Sequence, residues 1–253
     1  VDFKRLMETA ILAGTIMMES NAETYRVEDT MNRILRTSNL QTAEAFAITT
    51  GLFATLDDPS IAAITIVKRI TYRDTNLNKI AKVNTISRRL VNKDCSLEEA
   101  YEALQHVHEA EYQFYHSDLA IIALVTSFSL LLGGGVLELL FSLVTGTVLV
   151  LARKGEQKAK MSAFMRNLLS SILIAATAAL IGQISPAPVN VNILIIAAIM
   201  PMVPGTAITN AIRDTFQGDY MSGGAKALEA IMIAFSIALG VALGILATGG
   251  IAF

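Results

Sequence analysis

The chain has no tryptophan, one cysteine and five prolines in 253 residues, and only 17% of its residues are charged. Soluble domains carry roughly 25% charge. With 53% hydrophobic residues, this shortage argues against a wholly soluble enzyme. A basic surplus is missing too: 20 Lys and Arg face 22 Asp and Glu, a net charge of −2, so no nucleic-acid partner is expected. A lone Cys95 cannot close an intrachain disulfide or a cysteine metal clip. Without tryptophan, anchoring at a membrane interface falls to Tyr112, Phe114 and Tyr115. No G-x-S-x-G, H-E-x-x-H or P-loop is present, and His106, His108 and His116 lack the spacing of a zinc hydrolase. The sequence is therefore not read as an enzyme, and neither cofactor nor metal is expected.

What charge there is lies mostly in one half. Residues 1–116 hold 13 basic and 16 acidic groups, whereas residues 117–253 hold 7 and 6. This predicts an N-terminal cytoplasmic α+β domain over 1–116, followed by an α-helical polytopic membrane domain over 117–253. In the first, Glu8 and Glu19 interrupt and flank the apolar run 10–18, which argues for an ordinary helix over a secretory leader. Val27, Met31, Ile34 and Leu35 have helical spacing that stops at Ser38 and Asn39. Phe46 and Ile48, then Leu52, Ala54 and Leu56, alternate as strands do. Asp57, Asp58, Pro59 and Ser60 make a turn before the β-branched run 61–70, so two or three antiparallel strands are expected. Ile80, Val83, Ile86 and Leu90 return to helical spacing, and Ser96 with Glu99 forms a capping box for another helix.

In the second half, nearly unbroken apolar runs cover residues 119–132, 136–152, 168–184, 189–203 and 227–247, which predicts about five transmembrane helices. Five basic residues lie between Arg153 and Arg166, and two more at Arg213 and Lys226, while the intervening connections carry none. Lys and Arg are retained on the inner side, so the N-terminus is expected in the cytoplasm and the C-terminus outside a cell inner (plasma) membrane.

Several features could carry chemistry. Pro201 and Pro204 each lack an N–H and clash with the carbonyl four residues back, at Ala197 and Met200, so the fourth span should break there. Freed carbonyls within a bilayer are tolerated only against protein or water, and broken helices often form transporter sites. A plain kink is the competing reading. The substrate path is accordingly expected to involve Pro201, Pro204, Gly205 and Thr206, with a helix restarting near Thr206. Asn210, Arg213 and Asp214 would share one face of that helix, as part of the path or as an interfacial ion pair. Glu138, inside the second span, is a candidate for proton coupling, unless it only reaches external water beside the Gly133–Gly135 turn. Glu229 falls in the expected first turn of the last span. Ser236, Gly240, Gly244 and Thr248 recur every four residues, a small-residue face on which a partner helix could dock.

Val203-Pro204-Gly205, Asn210-Ala211, Asp214, Phe216, Gly218 and Gly224-Ala225-Lys226 together resemble the signature of the threonine/serine exporter family. Glu19-Ser20 and Tyr25-Arg26-Val27-Glu28-Asp29-Thr30 resemble that family's cytoplasmic-domain motif. The resemblance implies export of small hydrophilic metabolites, either threonine and serine or dicarboxylates such as succinate, driven by proton-motive force. Single-chain members carry roughly twice as many spans, so the chain resembles the larger subunit of a split, two-component exporter. Its expected partners are the lipid bilayer, a second, smaller membrane subunit, a small-molecule substrate and possible further copies in a higher oligomer. A non-transporting scaffold or regulatory subunit is the alternative, and a membrane-anchored hydrolase a more remote one.

Overall fold

The computed structural model describes the backbone of residues 2–108, 114–159 and 161–249, and their side chains except at 108, 114–116 and 156–159. In chain order it has α1 (Phe3–Glu19), α2 (Thr24–Leu35), β1 (Thr42–Ile48), β2 (Gly51–Asp58), β3 (Ile61–Arg69), α3 (Leu77–Val91) and α4 (Leu97–Gln105). There follow α5 (Phe114–Leu131), α6 (Val136–Ala159), α7 (Ala163–Ile184), α8 (Val191–Ile199), α9 (Gly205–Phe216) and α10 (Tyr220–Ala247). Contacts divide the chain into two compact units: Val1–Glu109 with Gly205–Leu228, and Ala110–Pro204 with Glu229–Phe253.

The first unit packs helices on one face of a three-stranded antiparallel meander, ordered β1-β2-β3. α1 is its central helix. Leu6, Met7, Ile16, Met17 and Met18 are all essentially inaccessible on it, and each such side chain contributes about 1.5–3 kcal/mol of burial. Val27, Met31, Ile34 and Leu35 of α2 join the same core, with Ile80 and Val83 of α3 and Leu104 of α4. Ser96 and Glu99 form the reciprocal capping box at α4. The alternation at Phe46 and Ile48 does form a strand, and its faces are set as follows: Ala43 and Ala47 point into the core, while Phe46 is 56% exposed. Gly14 shows how closely the helix layer sits, since a Cβ there would fall 2.3 Å from Met31 Sδ and 3.1 Å from Leu52 Cδ1. Alanine fits beneath such a layer, and Phe46 instead lies across from Phe53 on the open face, ring centroids 6.1 Å apart.

In the second unit α5 and α6 form a hairpin. Gly146 lets them approach, because a Cβ there would sit 3.3 Å from the Ile122 Cα. Lys154 pairs with Asp118 at one end. The basic stretch read as a connection is in large part helical, since α6 continues to Ala159. Val125, Leu149, Ile174, Ala197 and Ala198 form one apolar cluster, and Ala175, Ala178, Val191, Leu194 and Ile195 another, against which Val241 and Ile245 pack. The small-residue face of α10 is occupied from within the chain: a Cβ on Gly240 would lie 2.5 Å from the Leu168 carbonyl, and one on Gly244 2.6 Å from that of Ile172. This corrects the expectation of an open docking face, because backbone carbonyls of α7 fill the space that glycine leaves.

Among the described residues, three helical segments are long and apolar enough to cross a membrane, at Val136–Gly155, Ala163–Ile184 and Tyr220–Ala247. A fourth is reached if α8 and α9 count as one broken span, and the apolar helix Ser117–Leu131 is shorter. The last helix starts at Tyr220, which places Glu229 in its third turn and not its first. The cause is local: Gly218 has φ 89° and turns the chain, and Asp219 Oδ1 then accepts the Ser222 N–H (3.0 Å) to start α10. The aromatic residue Tyr112 and the side chains of Phe114, Tyr115, His108 and His116 lie outside the described residues.

Candidate functional site

Within the first unit, α9 buries Ala207, Asn210, Ala211 and Asp214, a helical stripe that carries two polar groups into the interior. Glu23, the residue before α2, gives that helix no side-chain cap. Asp214 supplies one instead. Its Oδ1 accepts the Thr24 backbone N–H (3.1 Å) and its Oδ2 the Thr24 hydroxyl (3.1 Å). A carboxylate there also meets the positive end of the α2 dipole. Lys226, in the second turn of α10, completes the cluster: its ammonium donates to Asp214 Oδ2 (2.7 Å), the Ala22 carbonyl (3.2 Å) and Thr24 Oγ1 (3.2 Å). Asp214 and Lys226 are 0% and 1% exposed. All three ammonium protons have acceptors, the condition for burying such a pair.

Gly223 makes this hairpin possible, since a Cβ there would fall 2.3 Å from Thr215 Oγ1 and 3.0 Å from the Ala211 carbonyl. Arg213 does not pair with its neighbour Asp214, as an ion pair on one helix face would require. It bonds the Glu23 carboxylate, which also lies 3.6 Å from Arg26. Burial acts to raise the Glu23 carboxyl, but hydrogen bonds from the backbone and Arg213, with the charges of Arg26 and Arg213, hold it below the ordinary range. Glu28 behaves oppositely. Burial pushes it up, with help from Asp219 and Asp214, although its Oε1 accepts the Ala47 N–H at 2.8 Å.

Beside this cluster a cavity of about 290 Å³ opens between the turn after α1, α3 and α9. A chain of hydrogen bonds edges it: Asn210 Nδ2 donates to the Asn21 carbonyl (2.7 Å), Asn21 Nδ2 to Thr75 Oγ1 (3.3 Å), and Thr75 pairs with the Thr206 hydroxyl (3.1 Å). Thr206, Asn210, Arg213 and Asp214 thus stand together. Gly205 opens α9 with no atom within 4 Å of where a Cβ would sit. Pro201 and Pro204 belong to the second unit. Between them the Met200 carbonyl is taken by the Val203 N–H (3.2 Å), a single 3₁₀ closure.

Glu138 lies in the second unit, 9% exposed. Its Oε2 accepts the Gly135 N–H (2.9 Å) and its Oε1 that of Asn190 (2.8 Å). Asn190 in turn caps α8 through its side chain.

Asn21, Glu23, Thr24, Thr75 and Lys226 were not candidates from the sequence. Their partners lie up to 204 residues away, beyond any periodicity. The one signal was that Lys226 lies in one quoted motif and Asn21, Glu23 and Thr24 lie beside the other; Thr75 had none. The family model described as "Putative threonine/serine exporter" matches residues 8–247. No curated protein and no solved structure matches the chain. With Asp214 and Lys226 of one motif bonded to Thr24, which lies between the two stretches of the other, and the family model spanning nearly all of the sequence, the chain belongs to the threonine/serine exporter family.

Proposed function

We propose that the chain is a membrane transporter subunit that exports small hydrophilic metabolites, threonine or serine or a dicarboxylate such as succinate, at the expense of proton-motive force. The observation that carries this reading is the junction of Asp214, Thr24 and Lys226, where one motif of an exporter family bonds the residue next to the other. In this proposal residues 1–116 form the cytoplasmic domain, residues 117–253 the five-span membrane domain, and the C-terminus is external to the inner membrane. The path includes Pro201, Pro204, Gly205, Thr206, Asn210, Arg213 and Asp214, with Glu138 as the proton-coupling group. A second, smaller membrane subunit belongs to the same proposal.

Proteoliposomes loaded with labelled threonine or succinate test it. Under an imposed pH gradient, efflux is expected from vesicles holding the chain with a co-expressed short membrane protein, and less from the chain alone. Equal efflux would remove the second subunit, and no efflux of either substrate under any condition would remove the exporter reading. Gly205→Leu probes the path itself, because nothing lies within 4 Å of where its Cβ would sit. Unchanged efflux in that variant and in Pro204→Ala would move the path elsewhere.

A further inference from the structure

The cavity of the first unit has groups to spare. Arg213 and Arg26 each bring one terminal nitrogen to Glu23, Arg213 as a hydrogen bond and Arg26 at 3.6 Å. A guanidinium has five N–H donors in a planar fork, so both keep donors in a geometry that suits a second carboxylate. Their side chains are 61% and 44% exposed, open to a ligand, while that of Glu23 is only 8% exposed. Asn210 donates to the Asn21 carbonyl, and its Oδ1 has no donor among the described residues. Asn21 itself holds a left-handed backbone, φ 62°, which places its carbonyl and its amide on two consecutive links of the rim. Ile80 and Ala81 of α3 add an apolar wall.

We propose that this cavity binds a small zwitterionic α-amino acid. Its carboxylate lies against the guanidinium groups of Arg26 and Arg213, and its ammonium against Asn210 Oδ1 and the Glu23 carboxylate. The rim hydroxyls of Thr75 and Thr206 are placed to hydrogen-bond a polar side chain. At about 290 Å³ the space lies at the small end of ligand pockets and suits a metabolite, not a nucleotide. The lining also separates the two substrate classes that the sequence left open. A dicarboxylate would bring its second negative charge toward buried Glu23, whereas an ammonium group is attracted there. The assignment rests on the exporter reading only for the choice of probe.

Isothermal titration of the full chain in lipid nanodiscs tests this directly, with L-threonine, L-threoninamide and succinate as probes. Saturable threonine binding is expected, and binding of the amide and of succinate at least about tenfold weaker, as loss of a charge-assisted contact implies. Arg213→Gln should weaken threonine binding about tenfold or more. Because that variant also disturbs Glu23, Ala81→Phe provides an independent probe: position 81 is an exposed helical site whose enlarged side chain fills the cavity, and binding should vanish with an unchanged melting temperature. Equal affinity for threonine and its amide would overturn the proposal, as would unchanged binding in Ala81→Phe or no binding at about 10 mM threonine. Efflux by a chain whose cavity binds nothing would overturn this site and leave the exporter reading standing. Saturable binding without efflux would keep the site and count against that reading.

Discussion

Asp214 caps α2 from 190 residues away, holding the Thr24 N–H on one carboxylate oxygen and the Thr24 hydroxyl on the other. The α9–α10 hairpin is thereby held by the N-terminal segment through a polar contact buried from solvent. The ammonium of Lys226 is what makes that tolerable, because an unpaired carboxylate at this depth would be strongly destabilised.

Removing one partner of the pair should therefore cost more than removing both. Lys226→Met leaves Asp214 charged and buried, and a loss of about 3–5 kcal/mol is expected. Asp214→Asn with Lys226→Met should recover part of it. Chemical denaturation of the purified variants, set out as a double-mutant cycle, measures the coupling. A double variant no more stable than Lys226→Met would show that the pair does not act as a unit.

Glu28 predicts a pH dependence of known sign. Its folded carboxyl titrates above the ordinary value because burial disfavours the charged form. The folded state then holds a proton that the unfolded state has released, so this group's contribution is greatest at low pH. It declines as pH rises from about 4.3, the unfolded value, through the folded one. Glu28→Gln keeps an oxygen for the Ala47 N–H and cannot ionise. Its melting temperature should fall less than that of the parent between pH 4 and pH 7, as scanning calorimetry would record.

The α7–α10 contact depends on glycine where carbonyls approach. Gly240→Leu must displace the Leu168 backbone and Ser171, whose Cβ lies 2.7 Å from the added atom, so a loss of at least about 1–3 kcal/mol is expected. Gly224, also helical, has nothing within 4 Å. Gly224→Ala should be neutral or stabilising by about 0.5–1 kcal/mol. Thermal melts in detergent compare the two, and equal effects would contradict the packing described for α10.

Glu138 holds the turn before α6 and the cap of α8 through two backbone N–H bonds. A glutamine has only one oxygen, so Glu138→Gln loses one of these bonds and should lower the melting temperature. If the carboxylate also couples protons, efflux from proteoliposomes will lose its dependence on the pH gradient. A lower melting temperature with an unaltered gradient dependence would assign Glu138 to capping alone.

Local order was legible in the sequence wherever it depends on neighbours within a turn or two. The buried stripe of α2, the Ser96–Glu99 box and the turn at Asp58, Pro59 and Ser60 all follow from side chains that meet their own segment. So does the break near Pro201 and Pro204, because a missing N–H acts on its own helix. α10 starts earlier than its apolar run, because the turn at Gly218 and the Asp219 cap on Ser222 open it at Tyr220, and Gly223 then fits against α9. The face of β1 was likewise decided by what lies above it: alternation places Phe46 and Ala47 on opposite sides, and the nearness of α1 and α2 selects alanine for the inside.

The sequence by itself determined that charge is concentrated before residue 117, that apolar helices follow, and which two motifs resemble those of the family. Composition and short-range pattern suffice for these, since each residue's preference for water or hydrocarbon is its own. Tertiary structure alone decided that Asp214 meets Thr24 and Lys226, that Arg213 turns to Glu23, and that glycines of α10 are spent on α7. Such pairings depend on long chain closures, whose outcome is set by the whole packing energy and leaves no local trace in the order of residues.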